Sequence, residues 1–155
     1  MTDQAIQRIL TSYDQLAPHI DGMVADFYTR LFKACPEARP LFKHDMTSQR
    51  GHLAATLALL IRNIQYQDLL EEAVMDLGAH HVKVGVRPEY YPIVRDALLA
   101  SIAHALGPAW TPTLHQDWTT LLEHIIAIML KGATHYSLHA AQSATHPGPQ
   151  ISRPF

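Results

Sequence analysis

The sequence predicts an all-α fold. Apolar residues recur at spacings of three and four along most of the chain, which puts them on one face of a helix with 3.6 residues per turn. No segment shows the period-two alternation, bounded by turn residues, that marks a half-buried strand. Pro18, Pro36, Pro40, Pro88, Pro108 and Pro112 punctuate the pattern and divide the chain into six to eight helices.

The first helix is expected from about Thr2, whose hydroxyl suits an N-cap, to near Pro18. Ile6, Ile9, Leu10, Tyr13 and Leu16 line one face. The second sets Ile20, Val24, Phe27, Tyr28 and Leu31 in a stripe and stops before Pro36, and a short segment with Pro40 and Phe42 follows. The third is expected to start near Thr47 or Ser48, either of which could cap it, and carries Leu53, Leu57, Leu60, Ile61 and Ile64. The fourth, from about Asp68, places Leu70, Val74, Leu77, His81 and Val84 on one face, with Gly85 and Pro88 at its end. The fifth takes Ile93, Ala97, Leu98 and Ile102 to a stop at Gly107 and Pro108. The sixth opens at Thr111 and Pro112, where a missing N–H costs little, and carries Leu114, Trp118, Leu121, Ile125 and Met129. Residues 1–138 are expected to form one domain, and 139–155 a tail with little capacity for a core.

Composition narrows the function classes. At 155 residues and 48% hydrophobic, the chain can bury about 70% of its unfolded surface in one core. A net charge of −2, with 12 scattered Lys and Arg, offers no electrostatic footprint for nucleic acid. The longest largely apolar run, 53–61, is far short of the roughly 20 residues that span a bilayer. The N-terminus lacks a signal-peptide pattern. A single cysteine, Cys35, rules out an internal disulfide and a cysteine-rich zinc site. A soluble cytoplasmic protein is expected.

His80 and His81 are adjacent but not equivalent. Positions 70, 74, 77, 81 and 84 share a face, so His81 interrupts an apolar stripe aimed at the core. His80 lies about 100° further round, with Asp76 and Lys83 on the side expected to meet water. A buried imidazole is often satisfied by a backbone carbonyl alone, and that dull reading competes here. The functional reading is a metal ligand, because neutral imidazole offers a lone pair without bringing charge inside. One histidine cannot hold bare zinc. It can hold iron whose other four in-plane donors come from a porphyrin. No Cys-x-x-Cys-His segment is present, so the haem would be of the b type, without thioether links.

Two further polar residues interrupt apolar stripes. Tyr28 lies among Val24, Phe27 and Leu31, and Gln49 sits one turn before Leu53. Singly, each has a structural explanation: a tyrosine bonded to a carbonyl, a glutamine completing a cap. Together with His81 they suggest a pocket with a ligand on one wall and two hydrogen-bonding groups on the other. Three unpaired buried polar groups would cost roughly 1–3 kcal/mol each.

These residues resemble those of the globins, specifically bacterial single-domain haemoglobins and the haem domain of flavohaemoglobins. The likeness covers residues 6–131 and is carried by ADFYTRLF (25–32), PEARPLF (36–42), the Gln49 and Leu53 pair, and HVKVGVRPEYYPIV (81–94). It implies a globin fold around iron protoporphyrin IX. By this resemblance His81 is the proximal iron ligand, Phe42 the aromatic stacked on the porphyrin, and Tyr28 and Gln49 the distal pair that hydrogen-bonds a gas ligand. Those two would be catalytic if the gas is turned over. Leu53 closes the distal pocket, and Tyr91 lies near the proximal side. Leu57, Leu77, Val94 and Leu98 line the cavity, and His52 reaches a haem propionate.

The sequence departs from that family in two places. It ends before a flavin- and NADH-binding reductase domain could begin, so an external flavin reductase is the expected partner. The family's proximal glutamate on the last helix falls near Ala133, with no acidic residue close by. His81 is therefore expected to donate its second N–H to a backbone carbonyl, that of Leu77 or a near neighbour. The expected function is reversible binding of O2, CO and NO, with nitric oxide dioxygenation when electrons are supplied. A gas sensor or interaction module, and a haem-free globin-like structural protein, are the alternatives.

Overall fold

The computed structural model describes residues 1–43 and 45–145. Thr2 Oγ1 accepts the Ala5 N–H at 3.1 Å and so starts α1 (Asp3–Leu16) by satisfying one of the amides that open a helix. A 3-10 turn at Ala17–His19 leads into α2 (Ile20–Ala34), and another at Pro36–Leu41 leads towards α3 (Met46–Arg62). Then come α4 (Gln67–Lys83), α5 (Tyr90–Leu106) and, after a third 3-10 turn, α6 (Pro112–Thr145). The described residues form no strand, and none of their helices is long and apolar enough to cross a membrane.

Two local expectations are corrected. The cap of α3 is Asp45, whose Oδ1 accepts the Thr47 N–H at 3.1 Å. Thr47 and Ser48 lie inside the helix, because a carboxylate two residues upstream of Thr47 reaches the same amide. Val84 does not complete the inward stripe of α4. It is the C-cap residue and 43% exposed, because Gly85 reverses the chain at φ 102° before another helical turn can form. At the C-terminal end α6 continues to Thr145, with residues 134–143 exposed. Residues 146–155 lie outside the described residues. At the other end of α6 the expectation holds, with the Leu114 N–H bonded to Thr111 Oγ1 at 3.1 Å.

The core is built from the stripes. Ile9, Val24, Ile61, Ile64, Ile102 and Trp118 are almost wholly buried in it. Arg8 grips Asp117 with two bonds, Nε to Oδ2 at 2.6 Å and Nη2 to Oδ1 at 3.0 Å, joining α1 to α6. Trp118 Nε1 donates to Ser12 Oγ at 3.0 Å, and that hydroxyl donates in turn to the Ile9 carbonyl at 2.8 Å.

α2 packs chiefly on α5, and α4 chiefly on α6. α3 leans on α2 and α1 and makes at most marginal contact with α4. The α4–α6 contact is backbone against backbone. A Cβ on Gly78 would run into the Met129 carbonyl, and one on Gly132 into the Met75 carbonyl. As residue numbers rise along α4 they fall along α6, so the two helices cross antiparallel.

Candidate functional site

Two groups of side chains stand on opposite sides of the α3–α4 separation. On the α2 and α3 side, Tyr28 is 6% exposed, and Gln49 Nε2 donates to its hydroxyl at 3.0 Å. Helical phase puts Tyr28 in the core stripe of α2, while Asp45 fixes the first turn of α3 and hence the place of Gln49. An aromatic box surrounds the phenol. Phe27, Phe32 and Phe42 lie 5.0, 5.8 and 5.4 Å from the Tyr28 ring, centroid to centroid, with Phe27 and Phe42 edge-on. Burial raises the Tyr28 pKa above the ordinary phenol range, and the Gln49 hydrogen bond works in the other direction. The hydroxyl is therefore protonated at neutral pH and can donate.

On the α4 side, His81 Nδ1 lies 2.7 Å from the Leu77 carbonyl oxygen. A carbonyl can only accept, so Nδ1 carries the proton and Nε2 keeps its lone pair. No described residue hydrogen-bonds Nε2. Burial holds the imidazole pKa below its ordinary value; the Leu77 bond partly offsets this, and neighbouring His80 lowers it further. His81 is accordingly half-buried and neutral, while His80 is exposed. The Tyr91 ring lies 6.4 Å from the His81 ring. Its hydroxyl is buried without a hydrogen-bond partner among the described residues, in a cluster with Val74 and Met129, flanked by Leu77.

The remaining predicted residues divide between the two sides. Phe42, Leu53, Leu57, Val94 and Leu98 belong to the same apolar cluster as Tyr28. Leu77 and Tyr91 belong to the other. No hydrogen bond or ring contact joins the two sides among the described residues. His52 stands apart from both: it is exposed on α3 and makes no hydrogen bond within the described residues. Sequence reasoning missed Gly78 and Gly132. A signal was present, because a glycine inside a helical pattern costs about 1 kcal/mol relative to alanine and so asks for a packing reason.

The residues fit an iron porphyrin. Among the described residues no three His, Cys, Asp or Glu side chains converge to hold a metal ion, so His81 could serve only as one ligand of a metal held mainly by something else. Its Nε2 lone pair has no hydrogen-bond partner among the described residues. The helix that bears His81, α4, makes at most marginal contact with α2 and α3, which bear Tyr28 and Gln49, and the apolar Phe42, Leu53, Leu77 and Val94 are only half-buried, as walls of a slot would be.

The globin family profile matches residues 25–129. The chain is 33% identical over 117 residues to the flavohemoprotein of Rhizobium meliloti strain 1021, covering 74% of this chain and 29% of that protein. To the flavohemoprotein of Bordetella pertussis it is 32% identical over 136 residues, covering 86% and 33%. It thus spans about a third of the length of these relatives. Among solved structures it matches an engineered carbene transferase built on a protein assigned as a nitric oxide dioxygenase of Rhodothermus marinus. That match has a TM-score of 0.79 and 29% identity and covers 90% of this chain and 99% of the other. A bacterial globin from Campylobacter jejuni matches with a TM-score of 0.72 at 24% identity, covering 88% and 99%, a likeness of fold alone. The chain belongs to the globin family, a family of haem-binding proteins.

Proposed function

We propose that this chain is a b-type haem globin that binds dioxygen reversibly, and carbon monoxide and nitric oxide at the same place. One observation carries the reading: an imidazole with its Nδ1 committed to Leu77 and its Nε2 unpaired among the described residues stands on one side, and a hydrogen-bonded Tyr28–Gln49 pair on the other. A bound haem would supply a redox-active iron that takes up diatomic gases. His81 would hold it from α4, Phe42 would lie against its ring, and Leu53, Leu57, Leu77, Val94 and Leu98 would exclude water. His52 has the weakest support, since it is exposed and would act only at the rim.

The chain's own residues then set the affinity. Tyr28 keeps its proton because burial disfavours the phenolate, and Gln49 turns the phenol by bonding its oxygen. A gas carrying partial negative charge would receive hydrogen bonds from both. A bond of that charge-assisted kind contributes roughly 1.5–3 kcal/mol, and about 1.4 kcal/mol is a factor of ten in affinity. On the other side the acceptor for His81 is a neutral carbonyl. A carboxylate there would make the imidazole a stronger electron donor; with Leu77 it stays a mild one, which suits gas binding rather than peroxide cleavage.

Nitric oxide dioxygenation is the finer part of the proposal. It is supported by the 29% identity to the Rhodothermus marinus protein and by the flavohemoprotein relatives. Dioxygen, nitric oxide and one electron combine to nitrate, so continued turnover needs an electron donor, for which a separate flavin reductase is proposed. A reducing cytoplasm is the proposed setting, in keeping with a single cysteine, Cys35, that is buried. Two experiments test the function. Haem-supplied protein should show an intense Soret band that shifts with dioxygen and with carbon monoxide; no band at all would contradict haem binding. Rapid mixing of the oxygenated protein with nitric oxide should yield stoichiometric nitrate, and absence of nitrate would leave gas binding as the function.

A further inference from the structure

Gly78 lies within the turn of α4 that orients the candidate ligand. The Leu77 carbonyl that holds His81 Nδ1 at 2.7 Å belongs to the planar peptide unit it shares with the Gly78 nitrogen. Three residues beyond Gly78, about 4.5 Å along the helix axis and on a neighbouring face, stands His81. At Gly78 the helix is pressed on α6 so closely that a Cβ would collide with the Met129 carbonyl, and the partner glycine, Gly132, meets the Met75 carbonyl in the same way. The obstacles are backbone atoms, which no rotamer change can move aside. The two other glycines within helices, Gly22 and Gly51, have open space where a Cβ would be. Of the glycines within helices, only Gly78 and Gly132 thus meet a neighbouring backbone, at the crossing adjoining His81.

We propose that the reciprocal Gly78–Gly132 crossing is a positioning device for His81: it fixes the tilt of the Leu77 carbonyl, and through it the depth and rotation of the imidazole. This rests on the proposed role of His81 as iron ligand. Helices that cross backbone to backbone have a single separation, whereas side chains between them could yield. An added methyl forces α4 away from α6 and turns the Leu77–Gly78 peptide with it. Gly78 and Gly132 are positioning residues; neither would touch the ligand.

The test uses the haem-loaded full chain and the variants Gly78→Ala and Gly132→Ala, with Gly22→Ala as control. The readouts are the iron–histidine stretching band of the ferrous, gas-free protein in resonance Raman spectra and the rate of haem loss to a haem scavenger. Both crossing variants are expected to shift the band and to lose haem roughly 10- to 100-fold faster, the usual effect of disturbing a group that orients a metal ligand. The control should change neither. An unshifted band in either crossing variant, even with a lowered melting temperature, would overturn the proposal and show a merely structural contact. Gly132→Ala acts from α6 without altering the histidine's own helix, so it keeps the test available if Gly78→Ala does not fold. Wild-type protein without a Soret band would instead overturn the haem reading on which the proposal stands.

Discussion

Gln49 Nε2 donates to the Tyr28 hydroxyl at 3.0 Å, linking α3 to α2 on the side opposite the helix that bears His81. The glutamine has used one N–H on the phenol oxygen, which leaves the phenol proton directed elsewhere. Tyr28 is therefore the stronger donor of the pair towards a bound gas, and Gln49 holds it in place.

Replacing Tyr28 with phenylalanine removes that donor and leaves the ring in its aromatic box. The dioxygen dissociation rate of the haem-loaded protein should rise at least tenfold, since about 1.4 kcal/mol of lost bonding is a factor of ten. Stopped-flow displacement by carbon monoxide measures the rate. An unchanged value would remove Tyr28 from the role of donor.

Tyr91→Phe tests the opposite wall. The Tyr91 hydroxyl is buried without a partner among the described residues, and an unsatisfied buried group costs about 1–3 kcal/mol. The variant should gain on the order of 1 kcal/mol in urea unfolding of the haem-free chain. A loss of similar size would mean that the hydroxyl is satisfied in solution.

Alkali should act through the same two phenols. Burial raises the pKa of Tyr28 and of Tyr91 above the reference value of 10.0. A group whose folded value is raised contributes stability in full below its unfolded value, and that stability disappears as pH climbs through the folded value. The window therefore opens near pH 10 and extends upward. In ultraviolet difference titration of the haem-free chain, the two tyrosines should ionise late. The Phe variants should each lack part of that late step, and an unchanged profile would contradict the burial argument.

Much of this was legible in the sequence, for reasons of periodicity. A helix has one phase, so His81 could be assigned inward and His80 outward from spacing alone, and the exposures agree. The acceptor carbonyl on Leu77 followed from the lack of an acidic residue near Ala133. What failed was local or reciprocal. Asp45, Thr47 and Ser48 are all good caps, and only the coordinates show which one reaches an amide. Val84 has the right spacing but falls one residue past the last helical position. The crossing of Gly78 and Gly132 depends on two segments more than fifty residues apart, and no one-dimensional pattern pairs them. Helix α6 runs through residue 138, where the sequence suggests a division between domain and tail.

The central claim is a bond from His81 Nε2 to iron. The most direct measurement is haem retention by His81→Ala, followed as the Soret band of the haem-supplied protein during transfer to a scavenger. Loss of the wild-type band position together with rapid loss of haem is the predicted result. A variant that holds haem as firmly as wild type, with the same spectrum, would contradict it.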